Sequence, residues 1–277
     1  MNVVTSLEEL HAACERLPKP VGLVPTMGYL HQGHLSLVQA ARAACKSVVV
    51  SIYVNPTQFG PTEDFAAYPR NLERDLGLLQ SLQVDVVWTP TNEVLYPPGF
   101  QTWVTVEEVS QPLEGSYRQG HFRGVATVVA KLFTGVQPQK AYFGQKDAQQ
   151  VAVIRQMTRD LNFPIEIVVC PIAREVDGLA LSSRNTYLNP AERQAATVLS
   201  RALQAARQDY AAGERSAERL RQRMLSVLSQ EPLARVQYVS CAHPDTLQEL
   251  EGNTERALLS MAVYVGKTRL IDNILLP

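Results

Sequence analysis

Both standard glycine-rich phosphate loops are missing from this 277-residue chain. The dinucleotide pattern GxGxxG does not occur. Gly266-Lys267-Thr268 looks like the end of a P-loop, but Met261 stands where that loop needs its first glycine, and the segment lies between strand-like runs. Cysteine is scarce and dispersed: Cys14, Cys45, Cys170 and Cys241 form no CxxC pair, which excludes a disulfide scaffold or a zinc ribbon. Three of them fall in or beside apolar segments and read as small core residues. No apolar run nears the roughly 18 residues a spanning helix needs; the longest lies around Val48 to Val54. The start, Met1-Asn2-Val3-Val4 followed by Glu8-Glu9, lacks the basic and apolar pattern of a secretory signal. Charge of one sign is lacking too. A net charge of −1 with interspersed signs predicts no nucleic-acid partner and no membrane partner. A cytoplasmic location is expected.

What is present is core-forming material, since 45% of the residues are hydrophobic. The first 170 or so residues alternate short β-branched runs with helical patterns. Val21–Val24, Val48–Val54, Val84–Thr89 and Ile165–Val169 read as buried parallel strands. Leu35–Cys45, Leu72–Leu82, Gly124–Val136 and Ala148–Leu161 read as helices, and Phe100–Val106 as an additional edge strand. This predicts an α/β fold: a Rossmann-like, doubly wound parallel sheet over 1–172. After Pro171 the pattern changes. Arg174–Asn189 is loop-like, and Asn189, Pro190 and Glu192 open a long helix running to about Ala212. A helix at Ala217–Leu228 and strands at Val236–Ser240, Leu258–Val265 and Arg269–Leu276 follow, the last two joined by a Gly266-Lys267 turn. The expectation is a smaller α+β lid domain over 173–277.

The most informative stretch is Met27-Gly28-Tyr29-Leu30-His31-Gln32-Gly33-His34, a turn between a strand and a helix. Residues three apart in a first helical turn share a face, so His31 and His34 point one way. Gly33 admits a ligand close to the backbone. The free N–H groups and positive dipole end of the helix favour phosphate. Two histidines without a nearby cysteine or carboxylate do not make a metal site, so no metal-binding residue is assigned. The turn reads as a nucleoside-triphosphate site.

Four further clusters carry polar chemistry. Gly144-Gln145-Lys146-Asp147 precedes a helix whose first turn holds Gln150. Taken alone Lys146 is an ordinary surface lysine; beside a glycine turn and a helix start it can meet phosphate oxygens. Leu181-Ser182-Ser183-Arg184 offers hydroxyls and a guanidinium to phosphate, or is simply an interdomain loop. Asn55 to Gly60 follows a strand, where open α/β sheets hold substrate, and Gly60–Arg70 is a candidate flap. In Gly120-His121-Phe122-Arg123-Gly124, Arg123 is a candidate for neutralising an anion and His121 reads as structural.

Taken together, PTMGYLHQGH (Pro25–His34), NPTQFG (Asn55–Gly60), GHFRGV (Gly120–Val125), FGQKDAQQ (Phe143–Gln150) and DGLALSSRN (Asp177–Asn185) resemble the ordered motifs of the pantothenate synthetases, the pantoate–β-alanine ligases of the HIGH-motif nucleotidyltransferase superfamily. The resemblance runs from about Met1 to Pro277. It implies that Met27–His34 and Gly144–Asp147 surround ATP, with Val176 near the adenosine and Leu181–Arg184 on the phosphates. It implies that His34, supported by His31, acts on the reacting phosphate, and that Lys146 holds phosphate and pantoate oxygens. Gln58 and Gln150 would bind pantoate, Gln58 also bordering the β-alanine site. Mg²⁺ carried mainly by the triphosphate and a homodimeric assembly are implied as well. Departures are small: Tyr29 and Gln32 stand where the family often has alanine and an acid, and Ala148 where an aromatic is common.

The reaction so implied adenylylates pantoate and then transfers the acyl group to β-alanine, releasing AMP. A carboxylate nucleophile, with a pKa of about 4, needs no general base. The barrier lies in bringing an anion to a polyanion, which fixed donors and cations lower. Rival readings are another HIGH-type nucleotidyltransferase and a non-catalytic adenine-nucleotide sensor. Pantoate-dependent ATP–pyrophosphate exchange separates the first, and AMP formation the second.

Overall fold

The computed structural model describes residues 1–61 and 63–277. Thr62, within the Gly60–Arg70 segment expected as a flap, lies outside the described residues. The chain divides into two compact units: Met1–Gly144 with Gln150–Pro171, and Gln145–Gln149 with Ile172–Pro277.

In chain order the elements up to Cys170 are β1 (Asn2–Val4), α1 (Leu7–Cys14), β2 (Val21–Thr26), α2 (Gln32–Ala44), β3 (Ser47–Ile52), α3 (Leu72–Ser81), β4 (Val86–Trp88), α4 (Asn92–Leu95), α5 (Glu114–Tyr117), α6 (His121–Val136), β5 (Lys140–Gly144), α7 (Ala148–Asp160) and β6 (Glu166–Cys170). Six parallel strands form one sheet in the order β1-β4-β3-β2-β5-β6. Side chains alternate across it as a two-residue period requires. Leu23, Val49, Val86 and Phe143 join one core with Leu10 of α1, Phe133 of α6 and Ile154 of α7. Val24, Val50, Val87 and Tyr142 join another with Leu37 and Val38 of α2 and Leu79 of α3. Two cores, one per face, are what doubly wound means physically.

From β2 the chain moves to β3 and β4 on one side, then returns to β5 and β6 on the other. The order reverses between β2 and β5, which pair through Gly22↔Lys140 and Leu23↔Ala141. In such sheets the crevice outside the carboxyl ends at that reversal holds ligands. The histidine turn leaves β2 there, and Gly144 ends β5 beside it in the strand order.

The second unit holds α8 (Pro190–Ala195), α9 (Val198–Ala211), α10 (Ala217–Leu228) and the antiparallel strands β7 (Ala234–Ala242), β8 (Ala257–Val265) and β9 (Thr268–Leu276), ordered β7-β8-β9. Leu203, Leu220 and Met224 of its helices pack on Leu259, Met261 and Val263. Gly266, at φ +57°, makes the tight turn between β8 and β9. Asn189 and Glu192 form a reciprocal capping box with Pro190 in the first turn, as the sequence predicts.

Several expectations are corrected. Phe100–Val106 is not a strand. The Val104 N–H goes to Thr127 Oγ1 (3.0 Å) and Phe100, Trp103 and Tyr96 form an aromatic cluster instead of a ladder. The long helix predicted from Pro190 breaks at Ala196-Thr197, where the Thr197 hydroxyl donates back to the Gln194 carbonyl (2.8 Å). Helix α6 begins at His121, three residues before the predicted start, with Gly120 in the left-handed region ahead of it. Strands β1 and β5 and helices α1, α4 and α5 are additional elements.

Candidate active site

The histidine turn caps its own helix. His31 is the N-cap of α2 and its Nδ1 accepts the Gly33 N–H (3.1 Å), while His34 Nδ1 accepts the His31 N–H (3.3 Å). A capping box normally built by serine and glutamate is here made by two imidazoles. Accepting at Nδ1 places the proton of each neutral ring on Nε2. The rings lie 4.1 Å apart, centre to centre, at 33°.

Several of the backbone N–H groups expected to be free for phosphate are engaged within the protein. Gly28 N–H goes to Thr26 Oγ1 (3.2 Å), Tyr29 and Leu30 to the Asp75 carboxylate (2.6 and 2.8 Å), and His34 and Leu35 to the His31 carbonyl (2.8 and 3.1 Å). With these amides engaged, the two imidazoles are side-chain donors that the turn itself holds in place. Asp75, on the first turn of α3, is 1% exposed and absent from the sequence-derived site. Gly28 is required beside it: φ is +81°, and a Cβ would meet Ile52 at 3.0 Å and Asp75 Oδ2 at 3.2 Å. Met27, Gly28, Tyr29 and Asp75 also line a cavity of about 470 Å³ with Tyr53, Phe65, Asn71 and Thr89–Glu93.

A second cluster surrounds Gln58. The buried Asn55 accepts from Thr57 N–H and hydroxyl and from Tyr96 OH (3.3, 2.9 and 3.0 Å), and donates to Gln58 Oε1 and the Gly124 carbonyl (3.2 Å each). Gln58 Nε2 reaches Met27 Sδ (3.0 Å), so the structure brings this glutamine to the histidine turn. Helix α6 approaches so closely that a Cβ on Gly124 would sit 2.4 Å from the Thr57 carbonyl oxygen.

Behind Gln58 runs a polar chain. Glu63 receives both Nε (2.7 Å) and Nη2 (2.8 Å) of Arg118, whose Nη1 donates to His121 Nε2 (3.0 Å). Arginine only donates, so His121 carries its proton on Nδ1 and gives it to the Gln58 carbonyl (2.8 Å). Burial, then the Arg118 charge, push the His121 pKa down to about 4. Burial alone would raise the Glu63 carboxyl, but Arg118 overrides it and leaves it lowered. The structural reading of His121 fits this geometry. Arg123 is exposed, with its guanidinium 4.3 Å from the Trp103 ring centre. Gln150 is half-buried in the first turn of α7.

In the second unit, Gln145–Asp147 form a single 3₁₀ turn held by Asn273 of β9. Asn273 Nδ2 donates to the Gln145 and Lys146 carbonyls (3.0 and 2.9 Å), and its Oδ1 accepts from Gln145 Nε2 (3.1 Å). Val176 is fully exposed at the tip of a hairpin pinned by a two-pronged Arg174–Asp272 ion pair (2.7 and 2.8 Å). Leu181 N–H bonds the Ala173 carbonyl (2.9 Å). Ser182 caps the 3₁₀ turn Ser183–Tyr187 by accepting the Arg184 N–H (3.3 Å); Ser183 is buried and Arg184 half-buried. Among the described residues, no group of three or more His, Cys, Asp or Glu is placed to hold a metal ion.

A model of the pantoate–β-alanine ligase family matches residues 2–275. The chain is 60% identical over 276 residues to the pantothenate synthetase of Roseiflexus sp. (strain RS-1), covering 100% of this chain and 99% of that one. It is 61% identical over 277 residues to that of Chloroflexus aggregans, covering both chains in full. The pantothenate synthetase structure from Thermus thermophilus superposes with a TM-score of 0.95 at 50% identity, covering 99% of each chain. The pantoate–β-alanine ligase of Francisella tularensis, solved with β-γ ATP and β-alanine, gives 0.81 at 37% identity, covering 99% of this chain and 97% of that one. The chain belongs to the pantoate–β-alanine ligase family.

Proposed function

We propose that this member of the pantoate–β-alanine ligase family condenses pantoate with β-alanine through a pantoyl-adenylate intermediate, and that the paired imidazoles of His31 and His34 serve the first step. The observation that carries the reading is the double histidine cap: with each Nδ1 engaged by backbone, each neutral ring is an Nε2–H donor fixed before substrate arrives.

In the first step a pantoate carboxylate oxygen bonds to the α-phosphorus of ATP, the bond to the bridging oxygen breaks, and pyrophosphate leaves. His34, flanked by His31, donates to oxygen on the reacting phosphate. Lys146 and Arg184 supply positive charge, Ser182 and Ser183 hydroxyl donors. Met27–His34, Gly144–Asp147, Val176 and Leu181 complete the ATP contacts. Gln58 and Gln150 hold pantoate, and Arg123, its guanidinium 4.3 Å from the Trp103 ring centre, neutralises substrate charge. Mg²⁺ enters with the triphosphate as part of the substrate and neutralises its charge. In the second step the neutral amine of β-alanine attacks the acyl carbon, the bond to the AMP oxygen breaks, and the nitrogen loses a proton. Water must be excluded, because it also hydrolyses acyl adenylates. The segment over 173–277 acts as the lid that does so.

Homodimeric assembly and a cytoplasmic location belong to the same proposal and rest on the family resemblance. Among the described residues no helix is long and apolar enough to cross a membrane. The test is to incubate the protein with ATP, Mg²⁺, pantoate and β-alanine and identify the products. Pantothenate, AMP and pyrophosphate in equal amounts are expected, and ADP or no turnover refutes the reading.

A further inference from the structure

Three observations converge on α3. The Asp75 carboxylate, 1% exposed, takes the N–H groups of Tyr29 and Leu30 at 2.6 and 2.8 Å. Arg74 beside it donates to the Leu30 carbonyl (2.9 Å) and to Asp75 Oδ1 (3.3 Å), and its guanidinium lies 5.4 Å from the Tyr29 ring centre. The turn they hold is conformationally demanding: Gly28 is at φ +81° and Tyr29, a residue with a side chain, is at φ +49°. Leu30 is packed in the core, but Met27, Gly28 and Tyr29 border, with Asp75, a cavity of about 470 Å³, so packing there is incomplete. Hydrogen bonds to a buried anion must fix what packing leaves loose.

We infer that Asp75, steadied by Arg74, is a positioning residue for adenylylation: it sets the backbone of the histidine turn so that the His31 and His34 rings stand ready for phosphate. The inference rests on the reading of the histidines given above. Asp75 borders the same cavity, but each of its carboxylate oxygens is taken by an N–H of the turn, so it acts through the turn. A displacement of the order of 1 Å in such a group costs up to about 100-fold in rate. The pantoate side of the site is held mainly by Asn55, through its bonds to Thr57, Tyr96, Gln58 and the Gly124 carbonyl, and meets the turn only where Gln58 touches Met27.

The test is pantoate-dependent ATP–pyrophosphate exchange by the full-length enzyme, Asp75→Asn against wild type. The asparagine amide keeps the size but turns a donor toward one of the two N–H groups. The exchange kcat is expected to fall at least about tenfold, with the KM for pantoate within about twofold and the fold retained by circular dichroism. Arg74→Ala, on a half-exposed side chain, is expected to lower exchange a few-fold in the same pattern. An Asp75→Asn variant that exchanges within about twofold of wild type overturns the inference, as does an equal loss expressed in pantoate KM. If Asp75→Asn does not fold, an unchanged exchange rate in Arg74→Ala overturns it. Wild-type protein without any pantoate-dependent exchange instead removes the functional reading itself, so the two failures are distinct.

Discussion

Two turns of this chain carry its candidate phosphate chemistry, and they are held in opposite ways. The histidine turn after β2 has its N–H groups gathered by a carboxylate, Asp75. The lysine turn after β5 has its carbonyls gathered by a neutral amide, Asn273. The polarity of each clamp follows from what it must satisfy: N–H donors call for an acceptor and carbonyls for a donor. In both cases the clamp comes from far along the chain, 45 to 46 residues for Asp75 and 127 to 128 for Asn273. A motif supplies reactive side chains, and a distant residue supplies the shape that aims them.

The largest effect should come from the reactive group itself. His34→Ala removes both the Nε2 donor and the acceptor of the His31 N–H, and kcat should fall at least about 100-fold with the fold intact. Steady-state turnover checks this; a near-normal rate would take His34 out of the mechanism and end the contrast between motif and clamp. Next is the polarity of the second clamp. Asn273→Asp sets a carboxylate against the carbonyls of Gln145 and Lys146, and should cost about 1–3 kcal/mol, more than Asn273→Ala. Denaturant melts of the two variants decide it, and equal losses would show that the amide's polarity is irrelevant.

Gly124→Ala probes the Gln58 cluster, whose direct holds, Asn55 and His121, are uncharged groups. The new Cβ would lie 2.4 Å from the Thr57 carbonyl oxygen, and overpacking of this kind costs about 1–3 kcal/mol. The pantoate KM should rise and the ATP KM stay, as initial-rate kinetics will show. The smallest effect concerns pH. His121 titrates near 6.5 in the unfolded chain and near 4 in the folded one, so on acidification the unfolded state takes up its proton first. Stability is therefore lost as pH falls from about 6.5 to about 4, by of the order of 1–3 kcal/mol. His121→Gln should flatten that slope in thermal melts recorded across the window.

What the sequence made legible was local. The three-residue spacing of His31 and His34, the Asn189–Pro190–Glu192 helix start and the Gly266 turn are read within one window of chain. The alternation of strands and helices is equally local, and it carried the fold. Asp75 was harder, since an acid in a first helical turn reads as a complement to the helix dipole. A signal did exist: Leu72, Asp75, Leu79 and Leu82 fall on one helical stripe, and an acid on an apolar stripe asks for a buried partner. For Asn273 and the chain Glu63–Arg118–His121 no such pattern is present, because their partners are set by tertiary approach alone. The edge strand expected at Phe100–Val106 failed for the related reason that a side chain, Thr127, claims the backbone donor a ladder would use.

The central claim is that two histidines capping one helix adenylylate an acid. Its most direct measurement is isotope exchange between pyrophosphate and ATP, run with pantoate and without β-alanine. The account predicts exchange that requires pantoate and collapses in His34→Ala. Exchange that proceeds without pantoate, or survives that substitution, would contradict it.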